Sequence, residues 1–196
     1  MQLFPLGDDN FGSLKFPFNF RYFGNNFNSL ILSTNGFVVF SSTTRCCSLF
    51  MPKISNSIAA HSYDMTTLTS GRISYHVLNA ISTELSTVKD DINKLSPSFT
   101  PTNAFRIIFE NVSDYKTGSH FASFEISLAI DSSSAAFVAL KYTRCLTNAA
   151  DVTLLAIPGL NYINIMGQLA TVPISTSPCN SSNVNTEGTW IFNVQL

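Results

Sequence analysis

Charge is what this chain has least of. Eleven Lys and Arg and twelve Asp and Glu occur in 196 residues, 12% in all, with a formal net charge of −1. That share is about half the usual globular level. No basic cluster exists to neutralise a phosphate backbone, so nucleic-acid binding is disfavoured. Apolar runs fall far short of the roughly 18 residues a membrane-spanning helix needs, so no membrane insertion by this segment is expected. The opening Met1-Gln2-Leu3-Phe4-Pro5-Leu6-Gly7-Asp8 has neither a basic n-region nor an apolar h-region. For a protein acting outside the cell, that places Met1 at an artificial boundary. Histidine is limited to three residues and cysteine to four. No Cys-x-x-Cys spacing is present, so a structural zinc site is not expected. No Gly-x-Ser-x-Gly nucleophile elbow is present either.

What remains is hydrophobic at 45%, with 17 Phe, 26 Ser, 18 Thr and 18 Asn. Such a chain is β-prone and turn-rich, and its polar surface is hydroxyl and amide rather than ionic. Its length suffices for one large all-β domain that buries roughly 70% of the unfolded surface. No composition shift, linker or repeat divides it, so residues 1–196 read as a single domain.

The stretch Lys15–Phe40 organises the pattern. Phe16, Phe18, Phe20 and Tyr22 alternate with Lys15, Pro17, Asn19 and Arg21, which puts an aromatic ridge on one strand face. Asn35-Gly36 then stands between two apolar runs, a hairpin signal whose type I′ form needs positive φ at both central residues. Residues 1–14 read as an irregular lead-in, with Gly7-Asp8-Asp9-Asn10 as a turn. Alternation places strands around Arg72–Val77, Ala122–Ile130, Val138–Tyr142 and Trp190–Val194. Apolar runs place others at Ile54–Tyr63, at Phe105–Phe109, apolar on both faces and so central, and at Val152–Ile157, with one or two short strands in Asn161–Ala170. One segment differs. Leu85, Val88, Ile92 and Leu95 recur at helical spacing, predicting a short helix over 83–95. Ser82 or Thr83 would cap it, Asp90 would pair with Lys94, and Asp90-Asp91 would lie on its solvated side. About ten short strands and one helix predict an all-β fold, an antiparallel β-sandwich or flattened barrel.

Chemistry is sparse. Four cysteines allow three pairings. Joining the adjacent Cys46 and Cys47 would close a strained ring, which leaves each of them paired with Cys145 or Cys179. His61-Ser62-Tyr63-Asp64 sets a base, a hydroxyl and a carboxylate close together, but a hydrolytic triad needs convergence from the fold and an oxyanion hole. No catalytic residue, metal ligand or cofactor is therefore expected. Asp8-Asp9 lack the later carboxylates of a calcium loop and read as a solvated turn. Asp64, following an apolar strand, reads as a strand-end cap. Asn111 and Asn180 head Asn-x-Ser sequons in predicted loops and are the glycosylation candidates. About four sequons would arise by chance at this composition, so their presence says nothing about secretion.

The order of the pieces resembles the nidogen-like (NIDO) extracellular domain. Phe-Pro-Phe-Asn-Phe-Arg-Tyr-Phe-Gly (16–24) and Ser-Thr-Asn-Gly-Phe-Val-Val-Phe (33–40) look like its opening strands. Ile58-Ala59-Ala60 with Asp64, Gly71-Arg72-Ile73-Ser74-Tyr75, Ala104–Val112 and Asn183–Phe192 are similar to its later motifs, in sequence order. Phe109 stands where Trp is usual, His61-Ser62-Tyr63 where a Trp precedes the Asp, and Glu187 where Pro is common. The resemblance implies a non-catalytic, extracellular adhesion or matrix-assembly module, secreted or at the cell surface, from a larger multidomain protein. Its implied partners are other matrix or cell-surface proteins, and glycans in a second reading as a lectin-like sandwich. The ligand and its binding face are not written in the sequence.

Overall fold

A computed structural model describes residues 1–40, 56–61, 63–146, 154–156, 162–164, 169–170, 178–180 and 182–195. In chain order the elements are β1 (Gln2–Leu3), β2 (Phe11–Tyr22), β3 (Asn25–Ser33), β4 (Phe37–Val39), β5 (Ser57–Ala59), β6 (Met65–Thr66), β7 (Arg72–Asn79) and α1 (Thr83–Asn93). They continue with β8 (Pro101–Asp114), β9 (Phe121–Asp131), β10 (Ala136–Arg144), β11 (Leu154–Ala156), β12 (Tyr162–Asn164), β13 (Leu169–Ala170) and β14 (Thr189–Asn193). One sheet runs β1-β7-β8-β9-β10-β14, with β6 beside the far end of β8; the other runs β13-β12-β11-β5-β4-β3-β2. Both are open, so of the two predicted forms the sandwich is the one adopted. The strands beyond those expected include two-residue pieces, β1 and β6, too short to leave a period-two signal.

The sandwich core is aromatic. On β2 every second residue from Leu14 to Tyr22 is buried and those between are exposed. Phe16 lies 5.2 Å from Phe105 of β8, and the Phe23 amide donates to the Val194 carbonyl beyond β14 at 2.7 Å. β2 thus crosses the facing sheet from its middle to its edge. Its register with β3 breaks midway: Lys15 faces Ser29 and Phe20 faces Phe27, so four β2 residues stand against Asn28 alone. Such a bulge bends a strand while keeping its buried face buried. Two tyrosine hydroxyls satisfy carbonyls around β5: Tyr22 donates to Ser57 at 2.9 Å and Tyr142 to Ala60 at 2.7 Å.

α1 makes a third layer. Leu85, Val88 and Ile92 pack with Leu78, Ala104, Ala129, Phe137, Ala139 and Ile191, on the sheet face turned away from the sandwich core. The helix is shorter than predicted. It ends at Asn93, and Leu95 is 45% exposed, because the chain turns toward Phe99 instead of continuing the apolar stripe. Ser82 is the N-cap residue but makes no side-chain cap bond; its hydroxyl accepts from the Asn79 amide. Asp91 is buried rather than solvated, correcting the expected exposed Asp pair. It accepts from Lys94 at 2.6 Å and from Lys141 of β10 at 3.2 Å, so Lys94 pairs with Asp91 and not Asp90.

Three further expectations are corrected. Residues 1–14 are not wholly irregular: β1 pairs with β7 and β2 starts at Phe11. The turn with positive φ at both central residues is Phe23-Gly24, at 43° and 83°, joining β2 to β3. Between β3 and β4 a three-residue connection, Thr34-Asn35-Gly36, takes positive φ only at Gly36. An added Cβ there would strike the His61 carbonyl at 2.5 Å, so glycine is required twice over. Finally, Cys145 pairs with Cys179, their Cα atoms 6.0 Å apart, which overturns the expected cross-pairing of these two with Cys46 and Cys47. The topology explains it. Cys145 follows β10, and the 3-10 turn Pro178–Asn180 is held to neighbouring β14 by Trp190 Nε1 donating to the Pro178 carbonyl at 3.1 Å. Cys46 and Cys47 lie outside the described residues.

Asp91 pins the helix to the sheet through two ammonium groups, and its loss leaves both without an acceptor. Asp91→Ala is expected to destabilise by about 1–2 kcal/mol in urea denaturation, whereas Asp90→Ala stays within about 0.5 kcal/mol. Equal effects would refute the pinning role.

Candidate functional site

Polar turns converge at one end of the sandwich. The lead-in turn, the β3–β4 connection and the β5–β6 connection are tied by backbone bonds: Thr34 to Asn10 at 2.9 Å, Thr67 to Gly7 at 3.0 Å, and Ala60 and His61 to Gly36 at 3.0 and 3.1 Å. Asn35, buried despite its amide, is the clamp. Its Nδ2 donates to Asp9 Oδ1 at 2.8 Å and its Oδ1 accepts from the Met65 amide at 2.9 Å. Tyr115, beyond β8, joins through its amide to the Asp64 carbonyl at 2.9 Å.

This clamp brings Asp8, Asp9 and Asp64 together, with one carboxylate oxygen from each within 4.8 Å of the others. The sequence suggested only a solvated turn and a strand-end cap, 55 residues apart (64 − 9). Oδ1 of Asp8 and Oδ1 of Asp64 are buried with no hydrogen-bond partner among the described residues. Burial pushes the Asp64 carboxyl above its ordinary range, and the charges of Asp8, Asp9 and Asp114 push it further. Asp8 is likewise raised, by burial first and by Asp9 second. Asp114 goes the other way. Burial is its largest single influence and is unfavourable to the anion, but bonds from Thr117 Oγ1, the Thr117 amide and the His120 amide hold it below the usual range. Three carboxylates at this spacing are hard oxygen donors of the type a divalent cation takes. They are also three like charges in partial burial, which by themselves oppose folding.

The other residues named from sequence go elsewhere. His61 is buried against Phe124 and Tyr142, with ring centroids 4.9 and 5.5 Å away, as part of the core. Ser62 lies outside the described residues. Asn111 is exposed on β8 and Asn180 is exposed on the 3-10 turn. Trp190 is buried. A feature with no sequence signal is His76 on β7, in a surface recess of about 270 Å³ with Met1, Gln2, Lys15, Tyr75, Val77 and Phe105. Both its ring nitrogens are buried without partners among the described residues, and burial holds its pKa below the ordinary value.

These groups move stability in opposite senses with pH. Raised carboxylates favour the protonated folded state, so stability falls as pH rises through their folded values. Removing one charge should relieve this: Asp64→Asn is expected to raise the calorimetric midpoint at pH 7 in chelator-containing buffer, with the gain shrinking toward pH 4. A lowered midpoint would contradict it. His76 is the reverse case. Its neutral form suits the fold, so stability declines as pH drops below about 6.5, the unfolded value. His76→Gln is expected to flatten that decline in urea midpoints between pH 7 and 5.

The sequence model of the nidogen-like domain matches residues 28–196. No curated protein and no solved structure matches the chain. The matched span runs from within β3 past β14 and includes Asp64; β2, with its aromatic ridge, and Asp8 and Asp9 precede it. With the match covering most of its length and a two-sheet sandwich beneath it, the chain belongs to the nidogen-like domain family.

Proposed function

We propose that this chain is a non-catalytic module for extracellular adhesion or matrix assembly, carried within a larger secreted or cell-surface protein. The family match over 28–196 carries the reading, because nidogen-like domains are extracellular-type, non-enzymatic domains of multidomain proteins. Two features support it. The Cys145–Cys179 bond suits an oxidising compartment. The surface is poor in charge and rich in hydroxyls and amides, which is compatible with binding through shape and hydrogen bonds. Partners on this reading are other matrix or cell-surface proteins. The lectin-like alternative loses its best stacking residue, since Trp190 is buried with its indole N–H committed to Pro178.

The test directs the chain into a eukaryotic secretory route with a heterologous signal and measures intact mass with and without reductant. Secreted protein with Cys145 joined to Cys179, binding immobilised matrix extract and leaving a fluorophosphonate probe unreacted, is the expected outcome. Retention in the cell with all four thiols free would overturn the reading. Cys145→Ala is expected to cost about 2–4 kcal/mol, from the closed loop of 34 residues, in denaturation midpoints.

A further inference from the structure

We propose that Asn111 carries an N-linked glycan; the inference rests on the extracellular reading above. Asn111-Val112-Ser113 is a sequon, but the case comes from the geometry. The register of β8 against β9 shifts between Phe109 and Val112, and Asn111 sits in that irregularity at φ 49°, with its side chain exposed. Its hydrogen bonds fall on the backbone amide and carbonyl and on one side-chain atom; the carbonyl accepts from Ser70 Oγ at 3.1 Å. The amide donates to Ser123 Oγ at 2.9 Å, and Oδ1 accepts from Ser123 Oγ at 3.4 Å and from Arg144 Nη1 at 3.5 Å. Among the described residues Nδ2 has no hydrogen-bond partner. That division is the one N-glycosylation needs, since the sugar substitutes the nitrogen and leaves the carbonyl oxygen where it is.

Space is present on the same side. Asn111 lines an open recess of about 330 Å³ with Gly71, Arg72 and Glu110. Gly71, at φ 78°, faces the Asn111 carbonyl so closely that any Cβ would strike it; the bare glycine keeps the backbones together at the recess. Arg72 and Glu110 are paired with each other at its rim, a donor and an acceptor set for sugar hydroxyls.

In the transfer, Asn111 Nδ2 attacks the anomeric carbon of a lipid-pyrophosphate-linked oligosaccharide. The N–C bond forms as the C–O bond to pyrophosphate breaks. The lipid pyrophosphate leaves with the electron pair, and one amide proton passes to a base of the oligosaccharyltransferase. Ser113 fixes the timing. In the folded chain it is buried, with its Oγ bonded to Thr69 Oγ1 at 2.6 Å and to the Thr66 carbonyl at 3.3 Å. The sequon hydroxyl is therefore reachable only before β6 pairs with β8, and the transfer precedes folding of this edge.

The chain is directed into the secretory route of a eukaryotic host, as wild type, as Asn111→Asp and as Asn180→Asp; Asp tolerates the left-handed backbone at 111. Peptide N-glycosidase digestion in heavy-oxygen water, followed by peptide mapping, reads each site. The expected result is an ¹⁸O-labelled Asp at position 111 in wild type. Asn111→Asp should lose one glycan's mass while keeping Cys145 and Cys179 joined, and Asn180→Asp should retain the glycan at Asn111. Secreted, disulfide-closed protein with unmodified Asn111 would overturn the glycan and leave the extracellular reading intact. Retained protein with free thiols would overturn that reading, while its own 111 peptide still decides the glycan.

Discussion

Four aromatic rings on alternate residues of β2 hold the two sheets against each other. Phe16, Phe18, Phe20 and Tyr22 are all buried, and each large side chain contributes roughly 1.5–3 kcal/mol of transfer free energy. Phe16 reaches Phe105 and Phe18, while Phe20 and Tyr22 meet Phe40 at 5.6 and 4.8 Å. Because β2 crosses the facing sheet, one strand joins its middle to its β14 edge. The three extra residues in its register let it bend over that distance without exposing a ring. The rest of the fold follows from this clamp. Once β2 is placed, its hairpin with β3 places Asn35, and Asn35 draws the acidic turn onto the β5–β6 connection.

Charge is scarce enough that each buried ionic group has an assignable effect. Asp91 is matched by two lysines and fastens a helix. Arg106 meets Glu125 on the same sheet face at 2.5 Å. Asp114 is satisfied by its own turn. Asp8 and Asp64 are different, with buried oxygens that nothing in the described chain satisfies. Partly buried acidic oxygens facing one another raise the energy of the folded state, and the hydrogen bonds of Asn35 hold them there against that repulsion.

Much of this was legible in the residues. Period-two alternation located β2, β7, β9, β10 and β14, and an apolar run located β8, which packs residues on both of its faces. The helix was legible because Leu85, Val88 and Ile92 keep helical spacing. What escaped depends on contacts distant in sequence. Asp8 and Asp64 meet only through a third residue, Asn35. Asp91 looked like any exposed helical Asp until β10 placed Lys141 beneath it. Cysteine pairing is set by β10 and β14 being neighbours, which spacing along the chain does not reveal. The primed turn at Phe23-Gly24 was missed for a local reason: Phe is an uncommon residue at positive φ, held here by edge-on contact with Tyr22 at 4.8 Å.

The disulfide also has a mechanical meaning. Cys145 and Cys179 bracket the segment that supplies β11, β12 and β13, the outer strands of one sheet. Tension applied at the two ends of the chain travels through β1 and β2 at one side and β14 at the other, and bypasses the bracketed loop. Its 34-residue separation, up to about 110–120 Å of extended chain, stays locked while the sulfurs remain joined. Reduction of this one bond would release that length to a chain under tension.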